Sequence, residues 1–129
     1  MTYNQFNKVE RLKGYKNIKY LFSNGKILKT PLIKFIYSVD SGNQKHPIRI
    51  GFSVPKRNIK DAHQRNLVKR RLKESYRLNK LKYYQFLINT NKGINIKLMI
   101  IYNDERIHSF HIIRQNLEAA FSNLLNEFI

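Results

Sequence analysis

A chain of 129 residues is long enough for one domain with a buried core and too short to suggest two. With 42% hydrophobic and 26% charged residues the composition is that of a globular protein, so the formal net charge of +17 sits on a folded surface and is not a sign of disorder. The absence of cysteine excludes disulfides, thiolate metal sites and a cysteine nucleophile, and the longest aliphatic-aromatic run, Leu98 to Tyr102, is far below a membrane span.

The N-terminal MTYNQFNKVERLK has no apolar stretch of the kind a secretion signal needs, which points to a cytoplasmic protein, and residues 1–10 are expected to be flexible. From Tyr15 to Ser23 the residues Ile18, Leu21 and Phe22 share one helical face, and Ser23-Asn24-Gly25 ends that short helix with Gly25 as its C-terminal cap. The pattern allows an extra short strand near Ile27-Leu28. After Pro31, LIKFIYSV alternates Ile33, Phe35, Tyr37 and Val39 with Leu32, Lys34, Ile36 and Ser38, as a half-buried strand does. Asp40-Ser-Gly-Asn reads as a turn. IRIGFSV then puts Ile48, Ile50, Phe52 and Val54 on one face and Arg49, Gly51 and Ser53 on the other, and Pro55 stops it. The two strands are predicted to pair as an antiparallel hairpin with one small, polar, cationic face.

Residues 56–82 hold 11 of the 25 Lys and Arg residues against only Asp61 and Glu74. Asp61 with Gln64 three residues later suits a helix start. On that helix Val68, Leu72, Ser75, Tyr76 and Asn79 fall on one side, and Asn66, Lys69, Arg70, Lys73, Arg77 and Lys80 gather on a neighbouring stripe left for a ligand. Residues 80–96 read as a loop or a helix extension, with a turn at Asn89-Thr-Asn-Lys-Gly. KLMIIYND is a buried strand. From Ser109, a helix N-cap, Ile113, Leu117, Ala120, Phe121, Leu124 and Phe128 follow helical spacing. The order α-β-β-(β)-α-β-α predicts a two-layer α+β sandwich.

Charge is unevenly spread: residues 1–97 carry 23 basic and 4 acidic side chains, residues 98–129 only 2 and 4. Two acids among eleven bases cannot neutralise the 56–82 segment by pairing along the helix, so a nucleic acid is the expected partner and a membrane is not.

The segment RIGFSVPKRNIKDAHQRNLVKRRLKESYR resembles the protein subunit of bacterial ribonuclease P, the ribonucleoprotein that removes 5′ leaders from precursor tRNA. The family's Val-x-Lys-Lys/Arg strand end, Ala-ending loop and Arg-Asn-Arg, Lys-Arg and Arg-Glu helix correspond to Val54, Lys56, Arg57, Ala62, Arg65-Asn66, Lys69-Arg70 and Lys73-Glu74. The similarity extends upstream through RLKGYKNIKYLFSNG and downstream to the final helix. Leu67 stands where the motif has its second Arg, so one guanidinium able to grip phosphate is missing.

The resemblance implies one ribonuclease P protein domain over residues 1–129, with a left-handed β-α-β crossover as in ribosomal-protein-like RNA-binding domains. It implies catalytic-RNA binding by Arg65, Asn66, Lys69, Arg70, Lys73 and Arg77. A leader-binding cleft would use Ile18, Phe22, Tyr37 (or Ile36), Arg49, Ser53, Lys56 and Arg57. The protein would assist as a non-catalytic subunit, a monomer on its own, with Mg2+ held mainly by the RNA. Single strands are held by ring stacking and cationic tracking of the backbone, which suits a cleft of this composition.

Two other readings stand beside this one. The first is a non-catalytic RNA-binding protein of the ribosome or another structured RNA, since fold alone does not name function. The second is a metal-dependent nuclease built on Asp104, Glu105, His108 and His111, whose spacing is not that of a zinc protease and which reads first as a polar loop before Ser109. His63 reads as a phosphate contact or a helix-start residue, and His46 as a turn residue.

Overall fold

The computed structural model describes residues 10–42, 46–90 and 92–129. Along the chain run α1 (Tyr15–Asn24), β1 (Lys26–Lys29), β2 (Ile33–Ser41), β3 (Ile48–Ser53), α2 (Ala62–Asn89), β4 (Ile94–Tyr102) and α3 (Phe110–Asn126). This is the predicted order, with the extra short strand present as β1; of the ambiguous 80–96 region, residues up to Asn89 form the last turns of α2 and Ile94 already opens β4. The four strands form one sheet in the order β1-β2-β4-β3.

The predicted hairpin of β2 with β3 does not form. β4 lies between them, antiparallel to β2 from Ile33↔Tyr102 to Ser41↔Ile94, and parallel to β3 from Ile48↔Ile96 to Ser53↔Ile101. The physical reason is burial. Leu98, Met99, Ile100, Ile101 and Tyr102 are all buried, on both faces of the strand, and a strand apolar on both sides belongs at the centre of a sheet. α2 is the crossover that parallel β3 and β4 require.

The main core lies between one sheet face and α2 with α3. Ile33, Phe35 and Tyr37 of β2, Ile48 and Ile50 of β3, and Ile96, Leu98, Ile100 and Tyr102 of β4 meet Val68, Leu72 and Tyr76 of α2 and Ile113, Leu117 and Phe121 of α3. The ring of Phe121 stacks on Tyr83 at 4.1 Å between centroids and meets Phe35 in a T-shaped contact at 5.1 Å. Truncating such a ring to Ala costs about 3–5 kcal/mol. The predicted caps are in place: Asp61 Oδ1 accepts the His63 N–H at 2.8 Å, and Ser109 Oγ accepts that of Ile112 at 3.3 Å.

α1 departs from a strict two-layer sandwich. It packs on the opposite sheet face, where Leu12 and Leu21 meet Ile36, Met99 and Ile101, with Ile18 partly buried against them. Gly25 does cap α1, donating to Leu21 O at 2.8 Å, but from an extended backbone. Glycine is needed there for closeness: a Cβ would meet Leu21 O at 2.6 Å and Ile36 Cγ2 at 2.7 Å. At the other end Gly14 sits at φ 94, a conformation that disfavours side chains.

The segment before α1 is tied to the sheet edge. Leu12 N donates to Ile50 O at 2.8 Å, and Glu10 is buried, with Oε1 2.8 Å from Lys80 Nζ and 2.9 Å from the Tyr84 hydroxyl. Of the segment 1–10 expected to be flexible, Glu10 is packed against α2, and residues 1–9 lie outside the described residues. Lys80 likewise leaves the ligand stripe for the interior, because α2 drifts around its axis relative to the sheet and its later turns bury the side that the first turns expose.

Candidate RNA-binding surfaces

α2 presents its first turns as a platform. Val68, Leu72, Ser75 and Tyr76 bury against the sheet, and Asn66, Arg70 and Lys73 are left exposed, with Lys69 half-buried beside them. Asn79, expected on the packing side, is half-buried and donates to Glu118 at 2.9 Å.

Two arginines of the predicted set have structural work as well. Arg65 Nη1 donates to the carbonyls of Ile59 at 3.0 Å and Lys60 at 2.6 Å, clamping the loop before the helix. Arg77 meets Glu74 through Nε at 3.0 Å and Nη2 at 2.7 Å. The guanidinium of Arg77 is thus turned to a neighbour one helical turn away, a pairing that competes with phosphate. Arg71, outside the predicted set, reaches across to His108 O at 2.5 Å and fixes α2 against the loop that leads into α3.

Leu67 is half-buried. Helical geometry puts it on the Arg71 and Glu74 flank, roughly 160° around the axis from Lys69.

Arg11 stands outside the set expected from the sequence. With Leu12, Ile50, Gly51, Phe52, Lys69 and Lys73 it lines a shallow pocket of about 210 Å³ between the N-terminal segment, β3 and α2. Three cations converge there, and no acid is among the described residues that line it. Burial, and then the charges of Lys69 and Arg11, hold the Lys73 ammonium below the usual lysine pKa. Like charges gathered this way favour an anion. The signal in the sequence was weak, because Arg11 lies more than fifty residues from Lys69 and only the edge pairing of Arg11 with Ile50 brings them together.

The predicted cleft residues divide. Ile18 and Phe22 lie on α1, Ile18 half-buried and Phe22 exposed. Arg49 and Ser53 are on the sheet face that α1 partly covers, as the alternation with buried Ile48 and Ile50 requires. On the same face the register sets Ser38 beside Lys97 and Lys97 beside Arg49, and Lys34 beside Ile101, adding two cations to the predicted set. Ile36 faces α1 and is buried beneath it.

Tyr37 does not belong with these residues. It points into the main core on the other face, and its hydroxyl donates to Glu127 at 2.6 Å. Burial, reinforced by that carboxylate, holds the phenol far above its ordinary pKa. The period-two pattern separated Ile36 from Tyr37 correctly: Ile36 lies on the α1 side of the sheet and Tyr37 on the main-core side.

Lys56 and Arg57 are exposed on a firmly held turn. Pro55 O accepts the N–H groups of Asn58 at 3.1 Å and Ile59 at 3.2 Å, and Asn58 Nδ2 donates to Tyr102 O at 3.0 Å. The turn presents both cations with little freedom of its own backbone.

Of the acid-histidine cluster, Asp104 Oδ2 meets His108 Nε2 at 2.6 Å, whereas Glu105 and His111 are exposed. Among the described residues no group of three or more His, Asp or Glu is arranged to hold a metal ion. His63 is exposed at the start of α2, and His46 is half-buried, 3.9 Å from Glu10. No helix among the described residues is long and apolar enough to cross a membrane.

Comparison with known proteins agrees with this architecture. A family profile described as Ribonuclease P matches residues 6–125. The ribonuclease P protein component of Chlorobium phaeobacteroides is 28% identical over 129 residues, spanning 94% of this chain and 88% of the relative. That of Histophilus somni is 37% identical over 91 residues, 69% of this chain and 74% of the relative. Solved structures share the fold, two of them as follows. The Staphylococcus aureus RNase P protein superimposes with a TM-score of 0.64 at 17% identity, over 91% of this chain and 96% of its own. The Thermotoga maritima RNase P protein gives 0.63 at 22% identity, over 92% and 96%.

Proposed function

The chain belongs to the ribonuclease P protein family, the protein components of the tRNA-processing ribonuclease P, and on that premise we propose how its surfaces divide the work. The platform of Arg65, Asn66, Lys69, Arg70 and Lys73 docks the catalytic RNA, with Arg77 joining when it exchanges Glu74 for phosphate. The sheet face beside α1, with Ile18, Phe22, Arg49, Ser53, Lys56 and Arg57, receives the single-stranded 5′ leader of precursor tRNA. Tyr37 is left out of this set.

The observation that carries the reading is the convergence of Arg11, Lys69 and Lys73 on one pocket that has no acid among the described residues lining it. Three cations held together are stabilised by a phosphate. A strand of RNA backbone supplies such groups at regular spacing, and its binding releases counterions.

In this reading the protein raises affinity for substrate and positions it, and phosphodiester cleavage is the work of the RNA subunit with its Mg2+. Clustered carboxylates are the usual protein means of holding two metal ions for such a step, and the described acids are not so grouped. No metal step is assigned to these side chains. The reading further takes residues 1–129 as one domain, monomeric on its own, acting in the cytoplasm where precursor tRNA is made.

The test is binding of the matching catalytic RNA across a range of salt. A steep linear fall of log K with log salt, made shallower by Lys69→Ala or Lys73→Ala, supports phosphate contacts at the platform. A slope unaltered by both substitutions would move RNA docking elsewhere.

A further inference from the structure

α1 buries little of itself. Leu21 alone is fully buried, and Ile18 is partly so. Its large rings are instead displayed: Tyr15 is 77% exposed, Tyr20 62% and Phe22 51%. A single exposed ring needs no explanation, so what matters is how these rings are arranged.

Tyr15 and Phe22 are seven residues apart, which places them within about 20° of each other on the helix and about 10 Å apart along its axis. Ile18 lies between them on the same flank and anchors that flank to the sheet. Tyr20 is about 160° from Phe22 and faces away. Lys19 carries its Nζ 5.7 Å from the centroid of the Tyr15 ring, within cation-π range, so a ring and a cation are held together at the start of the stripe.

The charge around it points to one kind of partner. From Arg11 to Val39 the sequence contains seven Lys and Arg residues and no Asp or Glu. Rings interleaved with cations, free of acids, match single-stranded nucleic acid, in which bases offer flat faces and phosphates offer charge.

We infer that Tyr15 is a base-stacking residue of the leader cleft, that Lys19 serves the adjoining phosphate, and that single-stranded RNA runs along the line Tyr15-Ile18-Phe22. The inference rests on the leader-binding reading above and extends it by two residues.

The experiment measures binding of precursor tRNA, with a long 5′ leader or with none, to holoenzyme reconstituted from the catalytic RNA and the full chain. Tyr15→Ala is expected to weaken binding of the leader-bearing substrate by about 5- to 150-fold, the range for loss of one stacked base, and to leave leaderless substrate unchanged. Tyr15→Phe retains the affinity, and Tyr20→Ala binds as the native protein does. If Tyr15→Ala binds normally while Phe22→Ala is impaired, the cleft stands and Tyr15 is not part of it. If both bind normally, the leader reading fails and takes the inference with it. Equal losses with and without leader would overturn it too, placing Tyr15 against the RNA subunit.

Discussion

The Nζ of Lys80 lies 2.8 Å from Oε1 of Glu10, and both side chains are withdrawn from water. The pair joins residues seventy positions apart and sets where Arg11, the next residue, meets α2. An interior ion pair of this kind is costly to break by halves, because the partner left behind stays charged and buried. Glu10→Gln or Lys80→Met alone should therefore cost about 3–5 kcal/mol in urea unfolding, and the double substitution should recover much of it. Single substitutions within about 0.5 kcal/mol of native would show that the pair is solvated in solution.

Arg11 is predicted to act through the pocket it shares with Lys69 and Lys73. Arg11→Ala should lower the magnitude of the salt slope for catalytic-RNA binding by about 0.7–0.9, the value of one phosphate contact. It should also raise the Lys73 pKa, since one of the charges that depress it is gone, and bound RNA should raise it further. A side-chain NMR titration of Lys73 reads both shifts. A pKa unmoved by either change would mean that the charges do not share a site.

Tyr37→Phe removes a hydroxyl that bonds Glu127 and touches no part of the proposed cleft. Leader-dependent binding should be unchanged, while stability falls by about 1 kcal/mol. The pH dependence has a definite sign. The folded phenol is held protonated, so its contribution is complete below the unfolded tyrosine pKa near ~10 and is lost as pH rises from there toward the folded value. Native protein should lose stability in that alkaline range more steeply than Tyr37→Phe, measured by urea unfolding at a series of pH values. Loss of leader affinity in the variant would return Tyr37 to the cleft.

Leu67→Arg restores the guanidinium of the Arg-Asn-Arg pattern. It should tighten catalytic-RNA binding and steepen its salt slope by about 0.7–0.9. Leu67 lies on the Arg71 flank, away from Lys69, so an unaltered slope would confine the RNA footprint to the Lys69 and Lys73 side of α2.

What was legible in the sequence is what depends on neighbours along the chain. Asp61 and Ser109 as caps, the buried side of α2 at Val68, Leu72 and Tyr76, and the inward residues of α3 all follow from helical period and local hydrogen bonding. The platform of Asn66, Lys69, Arg70 and Lys73 was visible for the same reason.

Nonlocal pairing was not legible. The insertion of β4 between β2 and β3 depends on which strand is apolar on both faces, and a hairpin is the simpler reading of two adjacent strands. Lys80 looked like one more basic residue until its turn of α2 met Glu10. Tyr37 and Ile36 are adjacent in sequence, and only the packing of α1 on one sheet face decides which of them faces that helix.

The most direct measurement is magnesium-limited cleavage of a precursor tRNA by the matching catalytic RNA, with and without this protein, alongside a lane of protein alone. The account predicts stimulation that requires both the catalytic RNA and the 5′ leader, with no cleavage by the protein alone. Binding without stimulation, or cleavage by the protein in the absence of the RNA subunit, would contradict it.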